Sequence, residues 1–93
     1  MELSNKYQKV IYLITLHNWV KNNISVSDYS KDFVLFKVLS IRFRNDTGLI
    51  VSNRSLGIDI RRMFPELDLS HRSRVIRIKN NLYRGFKGLD FNE

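Results

Sequence analysis

The sequence predicts a mainly α-helical domain with a small β wing: three helices followed by a β-hairpin. Three observations carry that expectation. Apolar residues recur at helical spacing through the first two-thirds of the chain, behind serines that suit helix starts. From Arg72 the pattern turns to period two, through Arg74-Val75-Ile76-Arg77-Ile78-Lys79, until Asn80-Asn81 breaks it. The length of 93 residues suits one core without room for a second, so residues 1–93 are read as a single domain.

The first helix is expected within residues 1–23, capped by Ser4 and stopped by Asn22-Asn23. Tyr7, Val10, Ile11, Ile14 and Val20 fall near helical spacing on its apolar side, and Leu13, Leu16 and Trp19 widen the arc. Lys6, Lys9, Asn18 and Lys21 mark the wet side. Trp19 is expected in the core.

Ser25-Val26-Ser27-Asp28 reads as a linker and a second cap, opening a helical core over residues 28–64. The stretch from Asp28 to Arg44 is apolar nearly all round, which marks the central, most buried helix of a small domain. Its Val, Ile and Phe also suit a strand, and Asn45-Asp46-Thr47-Gly48 is good turn chemistry. Length favours the helix, since strands rarely exceed about ten residues. Leu49-Ile50-Val51 has the size of one small strand.

Ser52 caps the third helix, residues 53–64. Leu56, Ile60, Met63 and Phe64 share one face, while Arg54, Ile58 and Arg61 point the other way with Arg62 at the flank. Gly57 weakens this helix by roughly 1 kcal/mol relative to alanine, and such a glycine often marks a close approach.

Pro65, Glu66 and Asp68 form an acidic corner. Residues 71–91 then make a basic wing and C-terminal tail. Arg74, Ile76 and Ile78 share one strand face, with Val75, Arg77 and Lys79 on the other. Asn80-Asn81 suits the hairpin turn because asparagine tolerates positive φ. Leu82 to Phe86 returns. Tyr83 points away from Leu82 and Arg84, and of the two faces the tyrosine is expected to be the open one, free to stack on a base.

Charge narrows the function. The chain carries a net +7 and 12% aromatic residues, with a pI near 10.1. Such a surplus attracts polyanions, above all the phosphate backbone. Residues 41–93 hold eleven of the sixteen lysines and arginines, and the arginines are concentrated there. From His71 to Gly88 six basic residues occur with no acidic one. The candidate phosphate-binding residues are Arg72, Arg74, Arg77, Lys79, Arg84 and Lys87 on the wing. Arg54, Arg61 and Arg62 add to them from the third helix, with Tyr83 as the stacking residue.

Other chemistry finds little footing. Without cysteine there is no disulfide, thiolate metal site or cysteine nucleophile. His17 and His71 have no acidic cluster at ligand spacing, no nucleophile motif frames a serine, and no glycine-rich phosphate loop is present. The expectation is a nucleic-acid-binding protein that is not an enzyme, with no cofactor and no metal. MELSNKYQK is too polar for a secretory signal and no stretch suits a membrane span, so a cytoplasmic location is expected.

The order of apolar strand, Ser52, short helix, Phe64-Pro65, Arg72/Arg74 and Tyr83-Arg84-Gly85-Phe86-Lys87-Gly88-Leu89 resembles a known pattern. It is similar to the winged-helix domain at the C-terminus of phage, plasmid and poxvirus-type primase–helicases. Those end in an arginine-bearing strand, a turn and a Tyr-x-Gly-Ile-x-Leu-like return strand. Tyr83 and Gly85 match the return strand, Gly88-Leu89 echoes its end, and Asn80-Asn81 replaces the usual glycine at the tip. The likeness covers residues 28–91. A free-standing chain of this size also resembles the small winged-helix proteins of staphylococcal cassette chromosome elements that bind single-stranded DNA. The resemblance implies a winged helix-turn-helix fold and single-stranded DNA as the preferred partner. It also implies a part in DNA replication of a mobile genetic element or phage, beside a helicase or primase. Two alternatives stay open: a dimeric regulator reading double-stranded DNA, with self-association through the first helix, and a protein-interaction module or inhibitor using the basic face on an acidic replication or defence protein.

Overall fold

A computed structural model of the chain describes residues 5–27 and 32–92. The expected caps at Ser4 and Asp28, and Tyr29, lie outside them. The described residues form helix α1 (Asn5–Asn23), strands β1 (Ile24–Val26) and β2 (Phe33–Leu35), and helices α2 (Phe36–Thr47) and α3 (Asn53–Met63). A 3-10 turn (Pro65–Leu67) and a short helix α4 (Leu69–Arg72) lead into strands β3 (Ser73–Ile78), β4 (Asn81–Lys87) and β5 (Leu89–Phe91). Mixed helix and strand with a hairpin is thus the architecture, with one more short helix than expected and three unexpected strands, β1, β2 and β5.

The apolar stretch from Asp28 to Arg44 is not one helix. Phe33-Val34-Leu35 runs as a strand, and the helix starts only at Phe36. Three consecutive large residues with the middle one buried meet the demands of a pleated edge, and β2 finds a partner in β4, with Val34 opposite Phe86. Nor is α2 the most deeply buried helix. Leu39 and Phe43 are buried, while Val38 and Ile41 stay exposed. It also runs three residues past Arg44, taking in the Asn45-Asp46-Thr47 expected as a turn, and is capped by Gly48, which at φ 78° donates its N–H to Arg44 O over 2.8 Å.

Leu49-Ile50-Val51 pairs with no strand. Leu49 and Val51 lean on the core, and Ile50 between them is 84% exposed. The Ser52 cap forms as expected, its hydroxyl accepting from the Ser55 N–H at 3.1 Å. Leu56, Ile60 and Phe64 are buried as anticipated and Met63 partly so.

Helix α1 turns a different arc inward from the one its spacing suggested. Leu16, Trp19 and Val20 are buried, with Tyr12 packed against them, but Tyr7, Val10, Ile11 and Ile14 are exposed. Trp19 decides the orientation. Its ring meets Phe43 edge-on at 5.3 Å, and its Nε1 donates to Asp46 Oδ2 at 2.8 Å. A second tether, from the Tyr12 hydroxyl to Asp59 Oδ2 at 2.7 Å, fixes α1 against α3. Residues 7–11 are all exposed.

Two small sheets complete the body. The segment expected as a linker supplies β1, which pairs antiparallel with β5, so the C-terminal tail docks as a strand. The other sheet has the order β2-β4-β3, all antiparallel. Its hairpin turns at Lys79-Asn80, one residue before the expected pair; both carry positive φ, 49° and 69°. Asn81 is already paired, opposite Ile78. A two-residue loop with both φ values positive matches strand twist, and that match sets the register.

Candidate nucleic-acid interface

Helix α3 buries Leu56 and Ile60 and so presents Arg54, Ile58 and Arg61 outward. Facing them is the hairpin. The register places Arg77 opposite Leu82 and Val75 opposite Arg84, and these share a sheet face with Ser73 and Phe86. Phe86 is fully buried on that face, against Phe36 at 4.7 Å between ring centres. Burial fades along β4 from Phe86 outward, and Leu82 is 66% exposed.

Between helix and hairpin lies a groove of about 690 Å³. Arg54 and Arg61 line it from α3, Lys37 from α2 and Arg84 from β4. Phe36, Ile58 and Leu82 give it apolar surface. A shallower extension of about 300 Å³ shares Phe36, Arg61 and Arg84 and adds Arg74. Among the described residues, no carboxylate lines either. No lysine or arginine among the described residues is paired with an acid, and the one close contact there of an acid with a basic side chain is that of Asp68 with the His71 ring. Asp46 and Asp59 are occupied by Trp19 and Tyr12, on other sides of their helices.

The ten residues expected at the interface divide accordingly. Arg54, Arg61 and Arg84 line the groove, and Arg74 only the smaller one beside it. The Arg61 guanidinium also donates to Ser73 Oγ at 3.0 Å, linking α3 to the root of the hairpin. Arg74 is folded back onto the carbonyls of His71 and Ser73, at 2.6 and 2.7 Å. Arg77 and Lys79 stand exposed farther out on the hairpin, and Arg62 on the flank of α3. Lys87 is exposed at the base of β4, opposite Phe33 and on the other sheet face from Phe86.

Arg72 is placed differently. It belongs to α4, not the strand, is only partly exposed, and its Nε donates to Leu67 O at 2.9 Å. One of its terminal nitrogens lies against Gly88, where a β-carbon would stand 2.4 Å away. Its guanidinium therefore ties the 3-10 turn to the foot of the hairpin.

Tyr83 and Leu82 also exchange the exposures expected of them. Tyr83 is half-buried opposite Ile76, on the sheet face away from Phe86, and reaches the groove at its edge. Leu82 is the open residue, on the face turned to the helices. The expectation assumed a uniformly covered inner face, whereas the hairpin outreaches the helices that cover it.

Sequence reasoning passed over Lys37, Phe36 and Leu82. Lys37 had a signal: it is the lone charge between Phe33 and Ile41, a run otherwise apolar but for Ser40. Leu82 had one too, since period two groups it with Arg84 and Phe86.

Among the described residues no helix is long and apolar enough to cross a membrane, and no group of three His, Asp or Glu is placed to hold a metal ion. Comparison with protein-family models, curated proteins and solved structures finds no match to this chain.

Proposed function

We propose that this chain is a winged helix-turn-helix module that binds DNA, single strands in preference to duplex, as an accessory to replication of a mobile element or phage. The order α1-β2-α2-α3-β3-β4, with β2 paired to β4 and the hairpin standing beside α3, supports that reading of the fold. The hairpin is the wing and α3 the recognition helix.

One observation carries the binding reading. Four cations, Lys37, Arg54, Arg61 and Arg84, line one groove and a fifth, Arg74, lines the smaller one beside it; among the described residues none has an acidic partner and no carboxylate lines either. Bringing five like charges together is unfavourable in the free protein and favourable once phosphates lie among them. Arginine suits the task because its planar fork meets phosphate oxygens in pairs. The apolar surface of Phe36, Ile58 and Leu82 inside this ring of charge favours single strands, whose base faces are accessible.

Fluorescence anisotropy with matched single- and double-stranded oligonucleotides tests the proposal. Tighter binding of the single strand is expected. Tighter binding of the duplex would move the account to a duplex-reading regulator. Binding of neither would point to an acidic protein as the partner of the groove.

A further inference from the structure

We infer that Leu82 and Ile58 are two apolar jaws that grip the faces of an unstacked nucleobase, while the cations around them hold the strand's phosphates. The inference rests on the DNA-binding reading and names the chemistry that selects the strand.

Leu82 is the puzzle that leads there. It is 66% exposed on the face of β4 that buries Phe86, and it opens into the groove, not away from the body. A leucine gains nothing from water, and a lysine or threonine there would suit a strand of bound phosphates better. On that sheet face Arg77 lies opposite it, Arg84 is next along its strand and Val75 is diagonal to it, so its directly adjacent neighbours on the hairpin are both cations. Across the groove stands Ile58, only partly covered, one helical turn from both Arg54 and Arg61. At the floor Phe36 is held from below by Phe86 and from the side by Gly57.

The arrangement is thus apolar within and cationic around. Phosphates alone would leave its inner surface unsatisfied. A nucleotide offers both parts: a flat, weakly polar base and charged oxygens beside it. The groove's volume of about 690 Å³ lies in the range of sites that enclose a small ligand. Duplex DNA keeps its base faces against one another, so the jaws would find no purchase there without distortion. The sequence pattern assigned this grip to Tyr83; the register assigns it to Leu82.

The test compares a thymine oligonucleotide with an abasic strand of equal length, both titrated by anisotropy at several salt concentrations. Wild type should bind the base-bearing strand about ten-fold or more tightly over the abasic one. Leu82→Ser should bring that ratio toward unity and leave abasic affinity unchanged. Because Leu82 is exposed, the variant should keep the wild-type melting temperature. Leu82→Phe should restore or raise the ratio, a rescue that a merely structural role would not show. Equal affinity of wild type for the two strands, with steep salt dependence in both, would overturn the jaws and leave the DNA-binding reading standing. An unchanged ratio in folded Leu82→Ser would likewise overturn them. Salt-insensitive or absent binding to both strands would overturn the DNA-binding reading itself.

Discussion

Gly57 lies flat against the Phe36 ring, so close that a β-carbon at position 57 would stand 3.1 Å from the ring's Cε2. This contact seats α3 on the start of α2 and so sets the distance from Arg54 and Arg61 to Lys37. Alanine at 57 should gain roughly 1 kcal/mol of helix propensity and lose a similar amount to crowding, because Phe36 has the open groove to yield into. Chemical denaturation of Gly57→Ala is expected to give a stability within about 1 kcal/mol of wild type. Gly57→Leu should cost roughly 1–3 kcal/mol by overpacking. Full tolerance of leucine would mean the two helices are not held at this point.

The core has its centre at Phe43, which is fully buried between Trp19 and Tyr12, both edge-on to its ring. Phe43→Ala should cost roughly 3–5 kcal/mol, as for other large buried aromatics. Phe36→Ala, at the half-covered floor of the groove, should cost less. Urea unfolding of the two variants checks the order, and the reverse order would contradict the packing described.

Tyr12 gives a pH signature. Burial first, then the hydrogen bond to Asp59 and the charge of that carboxylate, raise the Tyr12 phenol above its ordinary 10.0. The folded protein therefore holds this proton more tightly than the unfolded chain does. The resulting stability is fully present below about pH 10 and is lost as pH rises from there through the folded-state value. Denaturation curves between neutral pH and about pH 11 should fall more steeply for wild type than for Tyr12→Phe. Parallel curves would remove the Tyr12–Asp59 tether from the account.

The hairpin turn can be located by two glycine substitutions. Lys79 sits at φ 49°, which costs a residue with a β-carbon roughly 1–2 kcal/mol, whereas Asn81 is already in the strand. Lys79→Gly is expected to stabilise by about 0.5 kcal/mol and Asn81→Gly to destabilise by roughly 0.5–1 kcal/mol. Thermal melts showing the opposite pattern would return the turn to Asn80-Asn81 and invert the strand faces.

Much of this architecture was legible in the chain. The Ser52 cap, the opposite faces of α3, the close approach at Gly57 and the alternation of the hairpin rest on local rules and have the form those rules describe, although the hairpin turns one residue early. What was not legible depended on partners distant in sequence. Phe33-Val34-Leu35 becomes a strand because Gly85–Lys87 lies beside it. Ile24–Val26 does so because the tail returns to Leu89–Phe91. The arc of α1 that turns inward is chosen by Trp19 reaching Asp46, a contact no spacing rule along α1 contains. At the groove, the arginines of α3 could be read from helical periodicity. Arg72 could not be set apart from Arg74 until the short helix α4 turned its guanidinium toward Leu67. Lys37 and Leu82 enter the groove only once three elements are assembled around Phe36.

Salt dependence is the most direct test of the central claim that the groove holds a nucleic-acid backbone. Four of its cations, Lys37, Arg54, Arg61 and Arg84, line the main groove, and neutralising about four phosphates of a single strand corresponds to a slope near −3 in log K against log salt. Replacing Arg61 and Arg84 together by glutamine should bring the slope to about −1.5 and weaken binding at every salt concentration. A salt-independent affinity in wild type, or an unchanged slope in the folded double variant, would contradict the assignment of this groove as the binding site.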